Sequence, residues 1–205
     1  MKRTLSVLSA SLLIAALLAA CGNGAAAAPT PTPSAPPASE APAPTESAPA
    51  EPIAILSAFT AEDLEGNEVD QSVLSDYNLT MVNVWATFCG PCLKEMPELG
   101  ELNSEYADQK FQVVGIVSDV LNQDGTLNQD QIDTAKEIVS STSADYLHLL
   151  PTADLLPIVA QAYAVPMTFF VDKDGNLVGE GAYMGAQDKA GWSKIIDAML
   201  EEVAA

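Results

Sequence analysis

The chain has 205 residues, of which 48% are hydrophobic, and its 28 acidic residues against eight basic ones give a formal net charge of −20 at pH 7. A surface this acidic repels phosphate backbones, so nucleic acid is excluded as a partner. The length fits one globular domain with a single hydrophobic core once the N-terminal segments are set aside.

The N-terminal segment is typical of a secretory signal peptide. Two basic residues precede an apolar run at positions 5–20, which ends at Leu18-Ala19-Ala20-Cys21. That tetrad resembles the bacterial lipobox, in which the cysteine receives a diacylglyceryl thioether and becomes the new N-terminus. The resemblance implies a signal peptide over residues 1–20 and a lipid anchor on Cys21. A diacyl anchor of this kind is effective, because two acyl chains hold a protein on a membrane better than one. An ordinary secretory signal is the alternative.

Residues 22–52 form a second compositional unit, which contains nine of the chain's 14 prolines. The unit has almost no large apolar side chains, so it cannot bury enough surface to fold. We therefore predict a disordered tether over residues 21–52 and a folded domain over residues 53–205. Cleavage after residue 20 leaves 28 acids against six lysines, a net charge of −22 without any arginine.

The first part of the domain predicts a hairpin, a buried strand and a helix. Residues 59–69 carry the turn signal Glu65-Gly66-Asn67 between two short candidate strands. Residues 79–88 are a nearly continuous apolar run, which is typical of a central strand buried on both faces. After the next four residues, 89–92, a helix is expected to about Tyr106, with a kink at Pro97.

The second part alternates candidate strands and helices, which indicates an α/β domain. The predicted strands are 111–117, 146–150, 167–171 and 177–180, and the predicted helices are 129–141, 155–163 and 188–203. The turn at residues 172–176 makes a hairpin of the last two strands, so the sheet is expected to be mixed.

The tetrad Cys89-Gly90-Pro91-Cys92 follows the buried strand directly. A CxxC pair is half of a zinc site, a disulfide staple or a redox pair. A structural zinc site needs about four ligands, and the domain offers only these two cysteines and His148. A staple across two residues closes too short a loop to restrict the unfolded chain much. The context therefore favours a redox pair.

Position along the helix predicts different roles for the two cysteines. Cys89 lies nearest the helix N-terminus, where backbone N–H groups and the helix dipole stabilise a thiolate, so we expect it to be the exposed nucleophile. Cys92 lies one turn in and is expected to be the shielded thiol that resolves a mixed disulfide.

The segment VWATFCGPCLKEMPEL at residues 84–99 resembles the signature of TlpA/ResA-type thioredoxin-like proteins. The similarity extends to the 59–69 hairpin, the Val165-Pro166 pair, the final hairpin and helix, and a central insertion at about 119–151. It implies a thioredoxin-like fold with a central mixed sheet flanked by helices, an N-terminal β-hairpin and that insertion. It also implies a thiol–disulfide oxidoreductase that needs no cofactor and no metal. Phe88 departs from the family, which more often has Trp there.

The resemblance adds two features to the candidate site. From spacing alone, Glu95 fits a solvated helix face shared with Glu98 and Glu101 better than an active-site role. The family, however, places a Glu three residues after the second cysteine, so the resemblance implies that Glu95 is a proton relay. Thioredoxin has a buried Asp six residues before its first cysteine, where this chain has Asn83, which cannot titrate. The family also places a cis-proline opposite the CxxC, which implies that Val165 and Pro166 bind the substrate peptide.

The function implied by the resemblance is reduction of protein disulfides in the cell envelope by a monomer that is lipid-anchored outside the cytoplasm. The electron donor would be a membrane thiol transporter of the CcdA/DsbD kind. The alternatives are a disulfide-forming oxidase, a thiol peroxidase and a non-catalytic binding module. His148 is interpreted as an ordinary strand residue.

Overall fold

The computed structural model describes residues 51–205. The predicted signal peptide, Cys21 and all but the end of the predicted tether lie outside the described residues. Within residues 51–205, no helix is long and apolar enough to cross a membrane.

The described residues alternate strands and helices after an N-terminal hairpin. The strands are β1 (Thr60–Glu62), β2 (Glu68–Asp70), β3 (Leu79–Trp85), β4 (Phe111–Val117), β5 (Leu147–Leu149), β6 (Met167–Asp172) and β7 (Leu177–Met184). The α-helices are α1 (Gly90–Glu105), α2 (Gln129–Thr142), α3 (Leu156–Val159) and α4 (Lys189–Val203). Two 3₁₀ turns, Gln71–Leu74 and Ala107–Gln109, precede β3 and β4.

Five strands form one sheet in the order β5-β4-β3-β6-β7, and β1 and β2 form a separate antiparallel hairpin. β3, β4 and β5 are parallel, whereas β6 is antiparallel to β3 and to β7. The predicted α/β class, the N-terminal hairpin and the mixed sheet are confirmed. Because β3 is the central strand, its C-terminal end lies at the middle of the edge that the strand ends form.

Side chains of successive residues point to opposite faces of the sheet, so each face has its own core. On one face, Val82, Val84, Val114 and Ile116 pack against the N-terminal segment, the hairpin and α3. The other face packs under α1, α2 and α4 in two clusters, one around Trp85 and the two cysteines and one around Trp192. The redox tetrad therefore lies on the face that three helices cover.

Three predicted elements differ from the observed ones. The predicted strand 79–88 ends at Trp85, because residues 86–88 turn to begin α1. The predicted helix 155–163 is a single turn, α3, in which Ile158 is buried. Tyr163, at the end of the predicted helix, is exposed, so a longer helix would gain little from burying it. The predicted strand 177–180 continues to Met184, because β7 pairs with the whole of β6 through a register shift.

A row of three polar residues and one glycine crosses the helix-covered face. The backbone register aligns His148, Gly115, Asn83 and Thr168 on β5, β4, β3 and β6. Gly115 makes room for the imidazole, since a Cβ there would lie 2.4 Å from His148 Nδ1. His148 lies in β5, as the sequence suggested, and its side chain is buried.

The hydrogen bonds of His148 assign its tautomer. Trp85 Nε1 donates to His148 Nδ1 at 3.2 Å, and His148 Nε2 lies 3.1 Å from the Ala144 carbonyl oxygen, to which it donates. Burial lowers the pKa of His148 to about 4, against a smaller opposite effect of the Ala144 hydrogen bond. The ring is therefore neutral at pH 7 and anchors the Trp85 indole.

Replacing this histidine is expected to change the acid sensitivity of the fold. The unfolded pKa, near 6.5, exceeds the folded value, so the unfolded state binds the extra proton and stability is lost as pH falls from about 6.5 to about 4. His148→Gln keeps an acceptor for Trp85 and a donor for Ala144 but cannot titrate. Between pH 7.5 and pH 5, wild type should lose about 2 kcal/mol more unfolding free energy than the variant.

The measurement is chemical denaturation of the oxidised protein at both pH values. His148 is the only histidine in the chain, so no other imidazole contributes to the difference. Equal losses in the two proteins would show that the imidazole is not held neutral in the folded state.

Candidate active site

The two cysteines lie where the central strand meets a helix. After β3 the chain turns, and the Cys89 N–H donates to the Ala86 carbonyl oxygen at 3.0 Å. Cys89 is the N-cap of α1, and its Sγ accepts a hydrogen bond from the Cys92 N–H at 3.2 Å. Pro91 is tolerated in the first helical turn because its missing N–H would have no intrahelical partner there.

Cys89 and Cys92 form a disulfide with their Cα atoms 5.3 Å apart. Cys89 is 5% exposed and Cys92 is fully buried. The predicted order of exposure is therefore observed, but Cys89 is not the openly exposed residue that the sequence suggested. The Val165 carbonyl oxygen, 3.5 Å from Cys89 Sγ, covers it. A disulfide sulfur carries no proton, so this is a packing contact in the oxidised protein.

The loop that covers Cys89 contains the pair singled out in the sequence. The Val165–Pro166 peptide bond is cis, and the Pro166 carbonyl oxygen accepts a hydrogen bond from the Gly185 N–H at 2.9 Å. The structure therefore brings this pair and the disulfide together across 76 residues of sequence.

A polar cluster holds the turn before Cys89. The Thr87 N–H lies 3.1 Å from both carboxylate oxygens of Asp119, and the Thr87 hydroxyl donates to Asp119 Oδ2 at 2.6 Å. The Gln131 side chain, from α2, donates to the same carboxylate at 3.0 Å and to the Thr87 hydroxyl. The central insertion thus fixes the chain two residues ahead of Cys89.

Glu95 is buried, and this contradicts the solvated helix face that its spacing allowed. Its Oε1 accepts a hydrogen bond from Asn83 Nδ2 at 3.1 Å. Its Oε2 accepts from the Gln187 N–H at 3.2 Å and from Trp192 Nε1 at 3.3 Å. One carboxylate therefore joins α1 to the central strand and to the start of the C-terminal helix.

The surroundings of Glu95 raise its pKa. Burial raises its pKa above the usual range for a carboxyl group, and hydrogen bonds from Trp192, Asn83 and Gln187 oppose that effect. The negative charge of Glu98, one turn on, adds to the rise. Desolvation dominates, so Glu95 titrates closer to neutral pH than an exposed glutamate does.

Two buried polar atoms in the described residues have no hydrogen-bond partner, Asn83 Oδ1 and the Tyr146 hydroxyl oxygen. The Asn83 side-chain amide donates through Nδ2 to Glu95 and to Thr168 Oγ1, the latter at 3.0 Å. No donor among residues 51–205 reaches its side-chain oxygen, Oδ1. Burial, and secondarily the charge of Glu95, raises the pKa of Tyr146, which keeps its hydroxyl protonated. The layer under α1 thus combines one carboxyl group with neutral polar groups.

Comparison with known families matches residues 54–179 to the model of the AhpC/TSA family. The chain belongs to the AhpC/TSA family. Within that family it is a TlpA/ResA-like protein of the thioredoxin type, as its relatives show. The resemblance found in residues 84–99 is therefore confirmed.

The curated relatives are thiol–disulfide enzymes. The chain is 27% identical over 139 residues to the thiol-disulfide oxidoreductase ResA of Bacillus thuringiensis (strain Al Hakam), across 64% of this chain and 68% of the relative. It is 29% identical over 150 residues to the thiol:disulfide interchange protein DsbE of Vibrio cholerae, across 72% of each chain. This AhpC/TSA-family chain is accordingly a thiol–disulfide oxidoreductase.

Solved structures agree on the fold. The crystal structure of a thioredoxin-family thiol:disulfide interchange protein from Chlorobium tepidum superposes with a TM-score of 0.59 at 24% identity, covering 75% of this chain and 99% of that one. A putative DsbE from the same organism gives a TM-score of 0.57 at 20% identity, covering 73% and 98%.

Sequence reasoning missed several residues of this site. Trp192 and Gln187 contact Glu95 from more than 90 positions away, and no local pattern indicates such a contact. Thr168 had a weak signal, since it is a polar residue in a buried strand two positions after Pro166. Among residues 51–205, no three His, Cys, Asp or Glu side chains are grouped to hold a metal ion.

Removing the buried carboxyl group is expected to flatten the pH dependence of thiol–disulfide exchange. If Glu95 accepts the proton of Cys92, exchange slows as pH falls through the raised pKa of Glu95, where the base becomes protonated. Glu95→Gln should slow the resolution of mixed disulfides at neutral pH by at least about tenfold. The variant should also lack the fall in rate that wild type shows as pH drops through the pKa of Glu95. The measurement is the rate of exchange with a model disulfide between pH 4.5 and 9.

Glu98→Gln is the matched control, because it removes the next carboxyl group on the same helix. Its profile should keep the wild-type shape. A Glu95→Gln profile that overlays wild type would make Glu95 a purely structural residue.

Proposed function

We propose that this thiol–disulfide oxidoreductase works outside the cytoplasm as a membrane-anchored reductase of protein disulfides. The observation that supports the chemistry best is the arrangement of three residues on one helix. Cys89 caps the N-terminus of α1, Cys92 is bonded to it one turn in, and the Glu95 carboxyl group is buried one turn further on.

The proposed reaction transfers two electrons to the client. In the reduced protein, the Cys89 thiolate attacks one sulfur of a client disulfide, forms a mixed disulfide and releases the other client sulfur as a thiolate, which takes up a proton. Cys92 then gives its proton to Glu95 and attacks Cys89 Sγ. The Cys89–Cys92 disulfide forms and the second client thiol is released.

Two further roles belong to the proposal. The backbone at Val165 and Pro166 borders Cys89 and would align the client chain beside the sulfur. Glu95 would act as the base for Cys92, since it lies on the same buried face of α1 one turn away.

The attachment and the partners rest on the N-terminal sequence and the family resemblance. We propose a signal peptide over residues 1–20, a lipid anchor at Cys21, a tether over residues 21–52 and the catalytic domain from residue 53. The electron donor would be a membrane thiol transporter of the CcdA/DsbD type, and the clients cell-envelope proteins with disulfides. The protein would act as a monomer.

The surroundings of Cys89 favour the reductase direction over the oxidase direction. Oxidants of the DsbA type hold their reduced form stable, which needs strong stabilisation of the thiolate. Here the single histidine is neutral and bonded to Trp85 and Ala144, and the domain contains no arginine. The Gly-Pro dipeptide between the cysteines is also that of thioredoxin, a reductant.

Two other functions have less support. A peroxidase site of the related peroxiredoxin type needs a threonine three residues before its cysteine and a supporting arginine. Thr87 is two residues before Cys89, and its hydroxyl is bonded to Asp119. A binding module without chemistry would have no use for a paired Cys89 and Cys92.

The reductase direction predicts a low redox potential. Equilibration of the Cys89–Cys92 couple with glutathione buffers should give a value nearer thioredoxin, at about −270 mV, than DsbA, at about −120 mV. The readout is the alkylated fraction of the two thiols at each buffer ratio. A value near the DsbA end would assign the protein to disulfide formation.

Cys92→Ser should trap clients. Cys89 can still attack in this variant, but the thiol that resolves the mixed disulfide is missing, so adducts accumulate. Non-reducing gels and mass spectrometry of cells that express the full chain should identify envelope proteins joined through Cys89. Cys89→Ser is the matched control and should form none. Adding Cys21→Ser to Cys92→Ser should reduce the number of adducts, because it removes the anchor. Equal amounts of adduct in Cys92→Ser and Cys89→Ser would contradict the proposed exchange.

A further inference from the structure

His148 is buried in the layer that carries the redox pair, and the exchange reaction proposed above gives it no part. Its side chain is 4% exposed. An imidazole loses its water contacts on burial, so an apolar side chain would occupy this place in β5 at a smaller free-energy cost. The contacts of the two ring nitrogens indicate what an apolar side chain could not do.

The imidazole fixes the direction of one indole. Trp85 Nε1 donates to His148 Nδ1 at 3.2 Å, so the acceptor determines where the indole N–H points. His148 Nε2 in turn donates to the Ala144 carbonyl oxygen at 3.1 Å. Ala144 directly follows the C-cap of α2, and its own N–H donates to the Val139 carbonyl oxygen at 3.1 Å. The imidazole is therefore held by the end of a helix.

Aromatic contacts restrict the imidazole further. The centroids of the Tyr146 and His148 rings are 4.3 Å apart, and the two ring planes are inclined by 34°. The Trp85 ring meets the imidazole edge-on, with the centroids 5.6 Å apart. Two rings and two hydrogen bonds thus act together to restrict the orientation of the imidazole.

Gly115 shows that the arrangement is specific. A Cβ at this position would lie 2.4 Å from His148 Nδ1 and 3.1 Å from Trp85 Nε1, the two atoms that the hydrogen bond joins. Glycine inside a strand weakens that strand, and β4 is buried along its whole length. The chain thus carries a glycine within the sheet and a buried imidazole beside it, and the hydrogen bond to Trp85 requires both.

Trp85 connects this hydrogen bond to the redox pair. The indole is fully buried and belongs to the same packed cluster as Cys89 and Cys92. The Trp85 carbonyl oxygen accepts hydrogen bonds from the Ser118 N–H and from the Ser118 hydroxyl, both at 2.8 Å. Since both its backbone and its side chain are held, Trp85 is a fixed part of the packing around the disulfide.

Reduction of the disulfide needs room in this packing. The sulfur–sulfur bond breaks, two electrons and two protons enter, and two thiols form whose sulfur atoms approach only to van der Waals contact. Cys92 is fully buried and Cys89 is 5% exposed, so part of the added volume must be found within the packed cluster. A closely packed core resists added volume. Fixed packing therefore disfavours the dithiol and lowers the redox potential.

We propose that His148 is a positioning residue for the exchange: through its hydrogen bond it holds the Trp85 indole in the packing around the redox pair and so lowers the redox potential. The inference deepens the proposed function and rests on it, because it assigns part of the reducing character of the two cysteines to a residue on another strand.

The test is equilibration of the full chain with glutathione buffers at pH 7. Two glutathione molecules reduce the disulfide to two thiols and leave as glutathione disulfide. The alkylated fraction of the proteolytic fragment that contains Cys89 and Cys92 gives the equilibrium constant for reduction. His148→Leu offers the indole no acceptor. It should raise this constant about tenfold, which corresponds to about 30 mV for a two-electron couple.

Two more variants determine whether the effect passes through the hydrogen bond. His148→Gln keeps an acceptor for Trp85 and a donor for Ala144, so its constant should stay within about threefold of wild type. Trp85→Phe removes the indole N–H and should raise the constant as His148→Leu does. Adding His148→Leu to Trp85→Phe should then change the constant less than about twofold, because the two residues act through one contact. Where His148→Leu does not fold, Trp85→Phe measures the same loss.

Val114→Ala is the matched control for lost stability. Val114 is buried on β4, next to Gly115, but it belongs to the core on the opposite face of the sheet. This variant should lower the unfolding free energy of the oxidised protein and leave the constant for reduction unchanged. A loss of packing that the oxidised and reduced proteins share cancels in that constant, so a purely structural role of His148 would leave it unchanged too.

A spectroscopic measurement follows the indole directly. The chain has two tryptophans, so spectra of the ¹⁵N-labelled protein should contain two indole N–H resonances, and Trp85→Phe identifies that of Trp85. In wild type, this resonance should differ between the oxidised and the reduced protein. His148→Leu should move it upfield in both states, because the hydrogen bond to Nδ1 is lost.

Three results would overturn the inference. Equal constants in His148→Leu and wild type would make His148 a purely structural residue. Equal shifts in His148→Leu and His148→Gln would show that the hydrogen bond to Trp85 does not carry the effect. A Trp85 resonance that is the same in both redox states would show that the indole does not respond to the disulfide.

Failure of the proposed function gives a different result. A wild-type potential near that of DsbA contradicts the proposed reductase direction. A tenfold shift between wild type and His148→Leu supports the role of His148 in either case, because it compares two proteins with the same redox pair.

Discussion

The placement of Cys89 at the start of a helix that follows the central strand is the constraint on which the rest of the site depends. The strand is buried on both faces, so its end is held by the sheet, and the turn at Thr87 is held by Asp119. The sulfur therefore stands in a fixed position over the helix N-terminus. The contact of the Cys92 N–H with Cys89 Sγ and the approach of the Val165 loop both follow from it.

The second constraint is the burial of one carboxyl group under the disulfide. Glu95 occupies the layer between α1 and the sheet, and donors from three different parts of the chain surround it. Asn83 stands at the position where thioredoxin has a carboxyl group, and it supplies an amide donor to Glu95. The titrating group thus belongs to the helix that carries the cysteines, while the strand contributes only neutral partners.

The sheet edge that carries the disulfide also gathers the loops that surround it. Turns and loops that leave β3, β4 and β5 and that enter β6 meet there, so the insertion between β4 and β5 can approach the disulfide. That insertion holds Thr87 through Gln131, and its Leu121 and Leu127 line a cavity of about 320 Å³. One segment therefore supports the reactive turn and lines the surface beside it.

Local features of this protein were determined by its sequence alone. The hairpin turn, the buried strand, the helix after the tetrad and the order of the two cysteines depend on neighbouring residues, and each could be predicted from composition and spacing. The resemblance in residues 84–99 added Glu95 and the cis bond at Val165–Pro166, which local patterns do not indicate. Helix α3 was predicted too long, because the apolar residues of 155–163 do not indicate how many of them the rest of the domain buries.

Only the tertiary structure decided whether Glu95 is solvated or buried, because the groups that bury it come from β3 and from the region of α4, 12 and more than 90 residues away. His148 becomes a neutral anchor for Trp85 because Gly115 leaves space on the strand between them. The cavity lined by Leu121, Leu127 and Leu156 likewise joins residues of the insertion to residues beyond β5. Such contacts depend on strand register and on how the helices pack, and a sequence pattern with a period of a few residues carries no information about either.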